Sequence, residues 1–445
     1  MCSGQIARRS AFVRLAHGRF VVRLTLSLIV VALCAQLPTP VAAFQVDPQA
    51  SAAEPQLAEP GSELRVWLVT AGPGDAVWER FGHNAIRVLN TETGRDVAYN
   101  WGIFDFNQTD FVPRFLKGEM LYMMAPYPMG PMVDSYARAG REMIMQELAL
   151  TASQRQKLSD LAEINARPEN REYFYDYFGD NCSTRVRDLL NEVLGGSLYD
   201  QLGVRDNDAS FRTHTRRLTQ VDPLVFTGMD VLLGSPGDVP IVLWDEMFIP
   251  MVLRDAIRDA TVTDAAGNEL PLALSEEVVL ESARVPEPAR ATSWFWRYLL
   301  LGAMAGGLLA WLGSKSATGG RLCRVVFGAL CAVWSLVAGL FGLLLVLVLF
   351  TDHWSMAWNE TLFLTNPLSL TLMVLAPMAL MGGAASRQRA NRVGKGIIAF
   401  ALFGLVLQWL PATPQATGML FALFLPIHMG VGFGLSRLAA ADSEA

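Results

Sequence analysis

The sequence predicts an α+β exported domain followed by an all-α membrane bundle. Three observations carry that expectation. Five apolar stretches crowd the last third of the chain, alternating strand-like and helix-like segments fill the middle, and a basic front with a short apolar run stands ahead of both. The composition agrees: 52% of the 445 residues are hydrophobic, more than an ordinary soluble protein of this size carries. The formal net charge is −6 with no block of like charge, so the basic footprint of a nucleic-acid binder is missing and no such partner is expected.

Residues 1–43 read as an export signal. Arg8, Arg9, Arg14, Arg19 and Arg23 form the basic front, residues 24–37 an apolar core that is short for a spanning helix, and Val41, Ala42 and Ala43 a cleavage site. An uncleaved anchor is the alternative. Residues 44–293 are then the exported domain. A lead rich in Ala, Pro and Gln (44–60) precedes a strand at 64–69. A second strand at 81–89 turns through Thr91–Gly94 into a third at 96–102, a hairpin pattern. Residues 151–166 form a helix opened by a Thr151/Gln154 capping box, with Leu158, Leu161 and Ile164 on one face. A further helix runs over 182–194, capped by Asn181 or Asp180 and ended by Gly195 and Gly196. Val186, Leu189, Leu190 and Val193 face inward; Arg185, Arg187 and Asp188 face outward. Residues 239–259 read as helix interrupted at Pro250, 261–282 as a hairpin around Ala266, Gly267 and Asn268, and 284–292 as a linker.

Residues 294–445 form the transmembrane domain, with spans at 294–312, 325–350, 368–385, 397–410 and 419–435. Lys315, Arg321 and Arg324 fall between the first and second. Arg387, Arg389, Arg392 and Lys395 fall between the third and fourth. Both basic loops belong on the cytoplasmic side. The exported domain, the loop 351–367 and the turn 411–417 are therefore outside, and Trp294, Trp296, Trp354 and Trp358 reach the outer interface.

One cysteine lies in the exported half. Cys2 and Cys34 fall in the signal, Cys323 and Cys331 in membrane stretches, and only Cys182 remains. A lone thiol in an oxidising compartment has no intrachain disulfide partner, so it is a buried filler or a reactive group. Its place at a helix start favours the thiolate. His83 and His214 are the histidines available as a base, and His83 follows a glycine on a strand. With Asn90 facing Arg95 across the turn, His83 lies opposite Gly102. Asn100 is then one diagonal step away on the same face, able to hold the imidazole tautomer. A Cys182–His83–Asn100 site follows. No two histidines stand at ligand spacing and no second cysteine is available, so neither a metal nor another cofactor is expected.

The segments Phe81-Gly82-His83-Asn84-Ala85-Ile86-Arg87, Tyr99-Asn100-Trp101-Gly102-Ile103-Phe104-Asp105-Phe106, Pro168-Glu169-Asn170-Arg171 and residues 175–185 around Asn181-Cys182-Ser183-Thr184 resemble the Lnb-type lipoprotein N-acyltransferases. The outer loop from Asp352-His353-Trp354 to Asn366-Pro367 continues the resemblance. The order of histidine strand before cysteine helix also resembles the permuted papain-like (NlpC-type) fold of lecithin:retinol acyltransferase relatives. The resemblance implies a multi-pass enzyme of the bacterial inner membrane with its N-terminal domain in the periplasm. Such an enzyme moves an acyl chain from a phospholipid donor, through a cysteine thioester, to the N-terminal amine of a diacylglyceryl-cysteine lipoprotein acceptor. His83 and Cys182 carry over directly. Arg185 and Arg187 would then face a lipid phosphate or stand on a solvated helix face. His353 would approach the site from the membrane side or hold the interface. Met120, Met123, Met124, Met129 and Met132 would accept acyl chains or fill core. The competing readings are a membrane-tethered cysteine peptidase or amidase acting on cell-wall peptide, and a non-catalytic scaffold.

Overall fold

Hydrogen bonding gathers seven strands of the exported half into one antiparallel sheet, in the order Ala273–Leu280, Met143–Leu148, Leu64–Ala71, His83–Asn90, Asp96–Phe104, Leu121–Pro128 and Glu172–Phe174, and pairs four others in two small sheets. These are facts of a computed structural model, which describes residues 59–441 apart from 106, 265–266 and 411–414. The signal segment, nearly all of the lead, Ala266 of the expected hairpin and part of the turn at 411–417 lie outside the described residues. In chain order the strands are β1 (Leu64–Ala71), β2 (His83–Asn90), β3 (Asp96–Phe104), β4 (Leu121–Pro128), β5 (Met143–Leu148), β6 (Glu172–Phe174), β7 (Asp206–Ser210), β8 (Pro240–Val242), β9 (Thr261–Thr263), β10 (Glu269–Pro271) and β11 (Ala273–Leu280). The exported helices are α1 (Phe111–Lys117), α2 (Met129–Arg138), α3 (Ala152–Ala166), α4 (Cys182–Val193), α5 (Ser197–Leu202), α6 (Phe211–Thr219), α7 (Pro223–Leu232), α8 (Leu243–Glu246) and α9 (Pro250–Asp259).

Strand β1 explains why this sheet has two covered faces. Leu64, Val66 and Leu68 pack with Leu158 and Ala162 of α3, Val186 and Leu190 of α4 and Leu253 of α9. Trp67 and Val69, at the intervening positions, pack with Met129 and Met132 of α2. Side chains alternate along a strand, so a strand buried on both faces reads as a continuous apolar run. Each fully buried Leu or Ile here contributes roughly 1.5–3 kcal/mol.

The hairpin, the α3 capping box and the start of α4 fall where the sequence puts them. Thr151 accepts from the Gln154 N–H, and the Gln154 side chain returns to the Thr151 N–H. Other expectations need correction. Ile164 is 43% exposed, whereas Asn165 accepts from Trp101 of β3 and Ala166 packs on the core, so the inward face at the end of α3 does not include Ile164. Arg187 is buried rather than outward, its guanidinium stacked over Trp244 and bonded to the Trp244 carbonyl. Pro250 begins α9 instead of interrupting a longer helix, and strand β8 occupies the start of the 239–259 segment. Residues 261–280 split into a small hairpin, β9–β10, and β11, which leaves to pair with β5.

The C-terminal part is five helices: α10 (Phe295–Ala317), α11 (Arg321–Val348), α12 (Ser369–Met381), α13 (Ala384–Leu407) and α14 (Gly418–Ala440). Four of them, α10, α11, α13 and α14, are long and apolar enough to cross a membrane. The expected third span is only the 13-residue α12. At 1.5 Å per residue it measures about 20 Å, less than the roughly 30 Å of a hydrocarbon core. Helix α13 begins at Ala384, so Arg387, Arg389, Arg392 and Lys395 ride on its first turns rather than in a loop.

Glycine sets the bundle's closest contacts. A Cβ on Gly306 of α10 would stand 2.1 Å from the Pro426 carbonyl oxygen of α14, and one on Gly430 would stand 2.1 Å from the Gly306 oxygen. Packing of backbone on backbone is the usual glue between helices in lipid, where apolar side chains gain little by leaving the solvent.

The exported domain is clasped to the bundle by its 220–240 segment. Phe226 packs with Tyr298 and Ala422, and Val231 with Leu364 and Phe421. The buried Asn359 amide donates to the carbonyls of Val231 (2.8 Å) and Leu232 (2.9 Å), and the Gln415 amide donates to Leu233 (3.0 Å). Gly234 fits only because it has no side chain: a Cβ there would lie 1.9 Å from the Ala357 oxygen.

Candidate active site

Two polar side chains meet at the end of the sheet where β2 begins. Antiparallel pairing sets Ala85 opposite Asn100, so His83 and Asn100 share one face of neighbouring strands. The His83 Nε2 lies 3.0 Å from Asn100 Oδ1. Asn100 spends its amide hydrogens elsewhere, its Nδ2 donating to the Ala98 carbonyl at 3.0 Å. Its oxygen therefore faces the imidazole as an acceptor, and Nε2 must carry the hydrogen. That leaves Nδ1 as the basic nitrogen of a neutral ring. Asn100 is 3% exposed, so this orientation is not exchanged with water.

The thiol arrives on α4. Asn181 caps this helix, its Oδ1 accepting from Ser183 N–H (2.8 Å) and Thr184 N–H (2.9 Å). Its own Nδ2 donates to the carbonyls of Tyr177 and Phe248, which locks the cap. Cys182 is thus the first residue of the helix, at the positive end of its dipole. Cys182 is 9% exposed, and its thiol and the His83 imidazole are close enough to shift each other's titration. Burial is the largest influence on the thiol and pushes it up. The His83 charge and hydrogen bond, with the Asn84 and Ser183 N–H groups, outweigh burial and bring it below its ordinary value. Burial likewise pushes His83 down, but the Cys182 charge and the hydrogen bonds from Cys182 and Asn100 carry it above its ordinary value. The two shifts bring the thiol and the imidazole toward each other, the direction that favours a thiolate–imidazolium pair.

Gly102 stands beside this pair. With φ at +85°, it sits in the left-handed region that glycine favours, and a Cβ there would stand 3.4 Å from the Cys182 Cβ and 3.7 Å from Tyr175 Cε2. The Cys182 backbone nitrogen faces the same space, 3.9 Å from that position. Backbone N–H groups at a helix start are donors of the kind that stabilise an oxyanion.

Several residues of the site escape a reading of the sequence. Ser183 Oγ lies 2.6 Å from the Met247 oxygen and 2.8 Å from Asn84 Oδ1, and the Asn84 amide donates to Thr70 Oγ1 at 2.8 Å. All three side chains are buried, and they rivet the cysteine helix to the histidine strand. Their one signal is adjacency, since Asn84 follows His83 and Ser183 follows Cys182. Arg141, buried beneath the histidine, donates to the Gly72 carbonyl and opposes protonation of His83 by its charge. Tyr175 and Tyr177 are held neutral near the thiol, chiefly by burial.

The remaining expected site residues each have protein partners of their own. Arg185 pairs with Asp180 and stacks over Tyr173. Arg187 is committed to Trp244 and Asp188. His353 donates to the Phe115 carbonyl at 2.9 Å and ties the outer loop to α1. His214, the other exported histidine, is buried against Glu246 at 3.1 Å, away from the thiol. Met124, Met129 and Met132 are core.

Fold and site together define a membrane-anchored α+β domain with a Cys–His–Asn cluster at the end of its sheet. Residues 57–219 match the family model described as the Lnb N-terminal periplasmic domain, and this part of the chain belongs to that family. The protein is thus a multi-pass membrane protein with a periplasmic N-terminal domain. No curated protein and no solved structure matches the chain.

Proposed function

We propose that this protein is a cysteine acyltransferase of the bacterial inner membrane. In this reading it carries an acyl chain from a phospholipid to the N-terminal amine of a diacylglyceryl-cysteine lipoprotein. One observation carries it: Cys182 heads a helix beside a histidine whose tautomer Asn100 sets, in a domain clasped to a membrane bundle. The histidine strand preceding the cysteine helix also accords with a permuted papain-like domain.

In the first step the Cys182 thiolate attacks the ester carbonyl. A C–S bond forms, the ester C–O bond breaks, and the His83 imidazolium gives its proton to the departing lysophospholipid oxygen. In the second step the free amine attacks the thioester. A C–N bond forms, the C–S bond breaks, and His83 Nδ1 takes the amine proton, which restores the ion pair. The thioester divides one hard ester-to-amide transfer into two easier steps. Burial of the thiol limits the competing attack of water.

Intact-mass measurement on the full chain in phospholipid vesicles tests this reading. The expected result is one acyl adduct on Cys182 that is absent in Cys182→Ala, and that disappears when a diacylglyceryl-cysteine peptide is added as the peptide becomes acylated. An unmodified wild-type enzyme that instead cuts cell-wall peptide overturns it in favour of an amidase.

A further inference from the structure

Helix α1 is short, and its apolar side chains are turned outward: Val112 is 60% exposed, Phe115 55% and Leu116 53%. Its place in the fold explains what covers them. The helix ends at Lys117, whose carbonyl accepts from the Asp352 N–H at 2.8 Å, and His353 Nε2 donates to the Phe115 carbonyl. Gly118 closes the helix in the left-handed region (φ +82°), so near the outer loop that a Cβ would stand 3.1 Å from the His353 nitrogen. Asp352 lies only four residues beyond Val348, where α11 ends. That helix has 28 residues, about 42 Å at 1.5 Å per residue, which is the thickness of a bilayer with its headgroups. Its end therefore stands at headgroup height, and α1 is fastened beside it. Phe350, in the same stretch, is 83% exposed. The outward face of α1 thus continues the lipid-facing surface of the bundle, with Arg114 and Lys117 in its last turn to reach phosphate.

The inward side of α1 begins a series of aromatic rings. Phe111 meets Phe104 at 5.7 Å between centroids, Phe104 meets Tyr122 at 4.9 Å, and Tyr122 stacks on Tyr175 at 4.0 Å. Tyr175 Cε2 and Cys182 Cβ both lie within 4 Å of the place a Gly102 Cβ would take. The rings thus run in contact from the surface helix to Tyr175, which stands beside Gly102, as Cys182 does.

We propose that α1 lies in the outer leaflet as an interfacial helix, and that the Phe111–Phe104–Tyr122–Tyr175 series guides a lipid acyl chain from it to Cys182. The first part stands on the geometry of α1 and α11. The second rests on the acyltransferase reading. An acyl chain gains from continuous apolar contact along such a wall, and leaves the leaflet without crossing water.

The two parts are tested on the full chain in vesicles of phosphatidylethanolamine and phosphatidylglycerol. p-Benzoylphenylalanine at position 116 should photo-crosslink to lipid, while the same group at Thr93, on the hairpin turn at the opposite end of the sheet, should not. Absence of a lipid adduct at 116 overturns the interfacial helix. The paired change Phe115→Ser and Leu116→Ser should slow thioester formation from vesicle phospholipid at least tenfold, while iodoacetamide alkylates Cys182 at the wild-type rate. Phe115→Leu with Leu116→Met should restore the rate. An unchanged rate in the serine pair overturns the guiding role. If wild-type protein forms no thioester at all, the acyltransferase reading and the guiding role fail, while the crosslink at 116 still decides the position of the helix.

Discussion

In the periplasmic sheet domain, apolar packing between the elements is supplemented at the site by paired polar side chains. Asn84, Ser183 and Thr70 join β1, β2 and α4 by two buried hydrogen bonds, Ser183 also reaches the Met247 carbonyl, and Asn181 satisfies four partners at the head of α4. In the bundle, α10 and α14 approach through the absence of side chains, at Gly306, Gly313, Gly430 and Gly434. The two regions solve the same problem in different solvents. Water rewards burial of apolar area and tolerates a polar rivet that is paired, whereas lipid rewards only close contact. The difference predicts where each region is brittle.

The largest effect belongs to the bundle. Gly306→Leu should abolish recovery of folded full-length protein, whereas Gly307→Leu, one residue away with nothing within 4 Å of its would-be Cβ, should be recovered as wild type. Size-exclusion chromatography in detergent reads both, and equal recovery would break the contrast. Next comes the thiol. His83→Ala removes the charge that lowers Cys182 and leaves the burial that raises it, so the thiol should return to or above its ordinary range. Alkylation by iodoacetamide at pH 7 should fall about tenfold or more per unit of that shift, and its pH profile should move to higher pH.

The falling limb carries the opposite sign. In the acyltransferase reading the reactive ion pair forms as pH rises through the Cys182 value, which is lowered, and is lost as pH rises through the His83 value, which is raised. Asn100→Ala removes a bond that raises His83, so the alkaline limb of the acyl-transfer profile should move to lower pH. An unmoved alkaline limb would take Asn100 out of the site. Smaller again, Ser183→Ala strands Asn84 Oδ1 and the Met247 carbonyl and should cost about 1–3 kcal/mol in thermal unfolding. Thr151→Ala, at the exposed α3 cap, should cost about 0.5–2 kcal/mol, the least of the series.

The hairpin and the start of α4 were legible because local rules govern them: a period of two along strands, a short turn, and a cap residue ahead of an amphipathic helix. Those rules were enough to set His83 and Asn100 on one face. What escaped depends on partners far along the chain. Ser183 acts through Asn84, 99 residues away, and nothing near either residue announces the other. Arg187 read as a surface charge because its period pointed outward, yet Trp244, 57 residues on, covers it. The length of α12 escaped for a different reason. Hydropathy marks 368–385 as one apolar run, but helix α12 ends at Met381 and Gly382-Gly383 breaks it before Ala384.

The clasp formed by Asn359, Gln415 and Gly234 has a practical consequence. The domain family ends at residue 219, and the segment that grips the bundle begins immediately after it. A water-soluble fragment cut before residue 294 would keep Cys182, His83 and Asn100 but strip the Val231, Leu232 and Leu233 carbonyls of their donors and bare Phe226. Such a truncation should be sticky and poorly ordered along that flank, so measurements on this molecule belong in nanodiscs or micelles with the whole chain present.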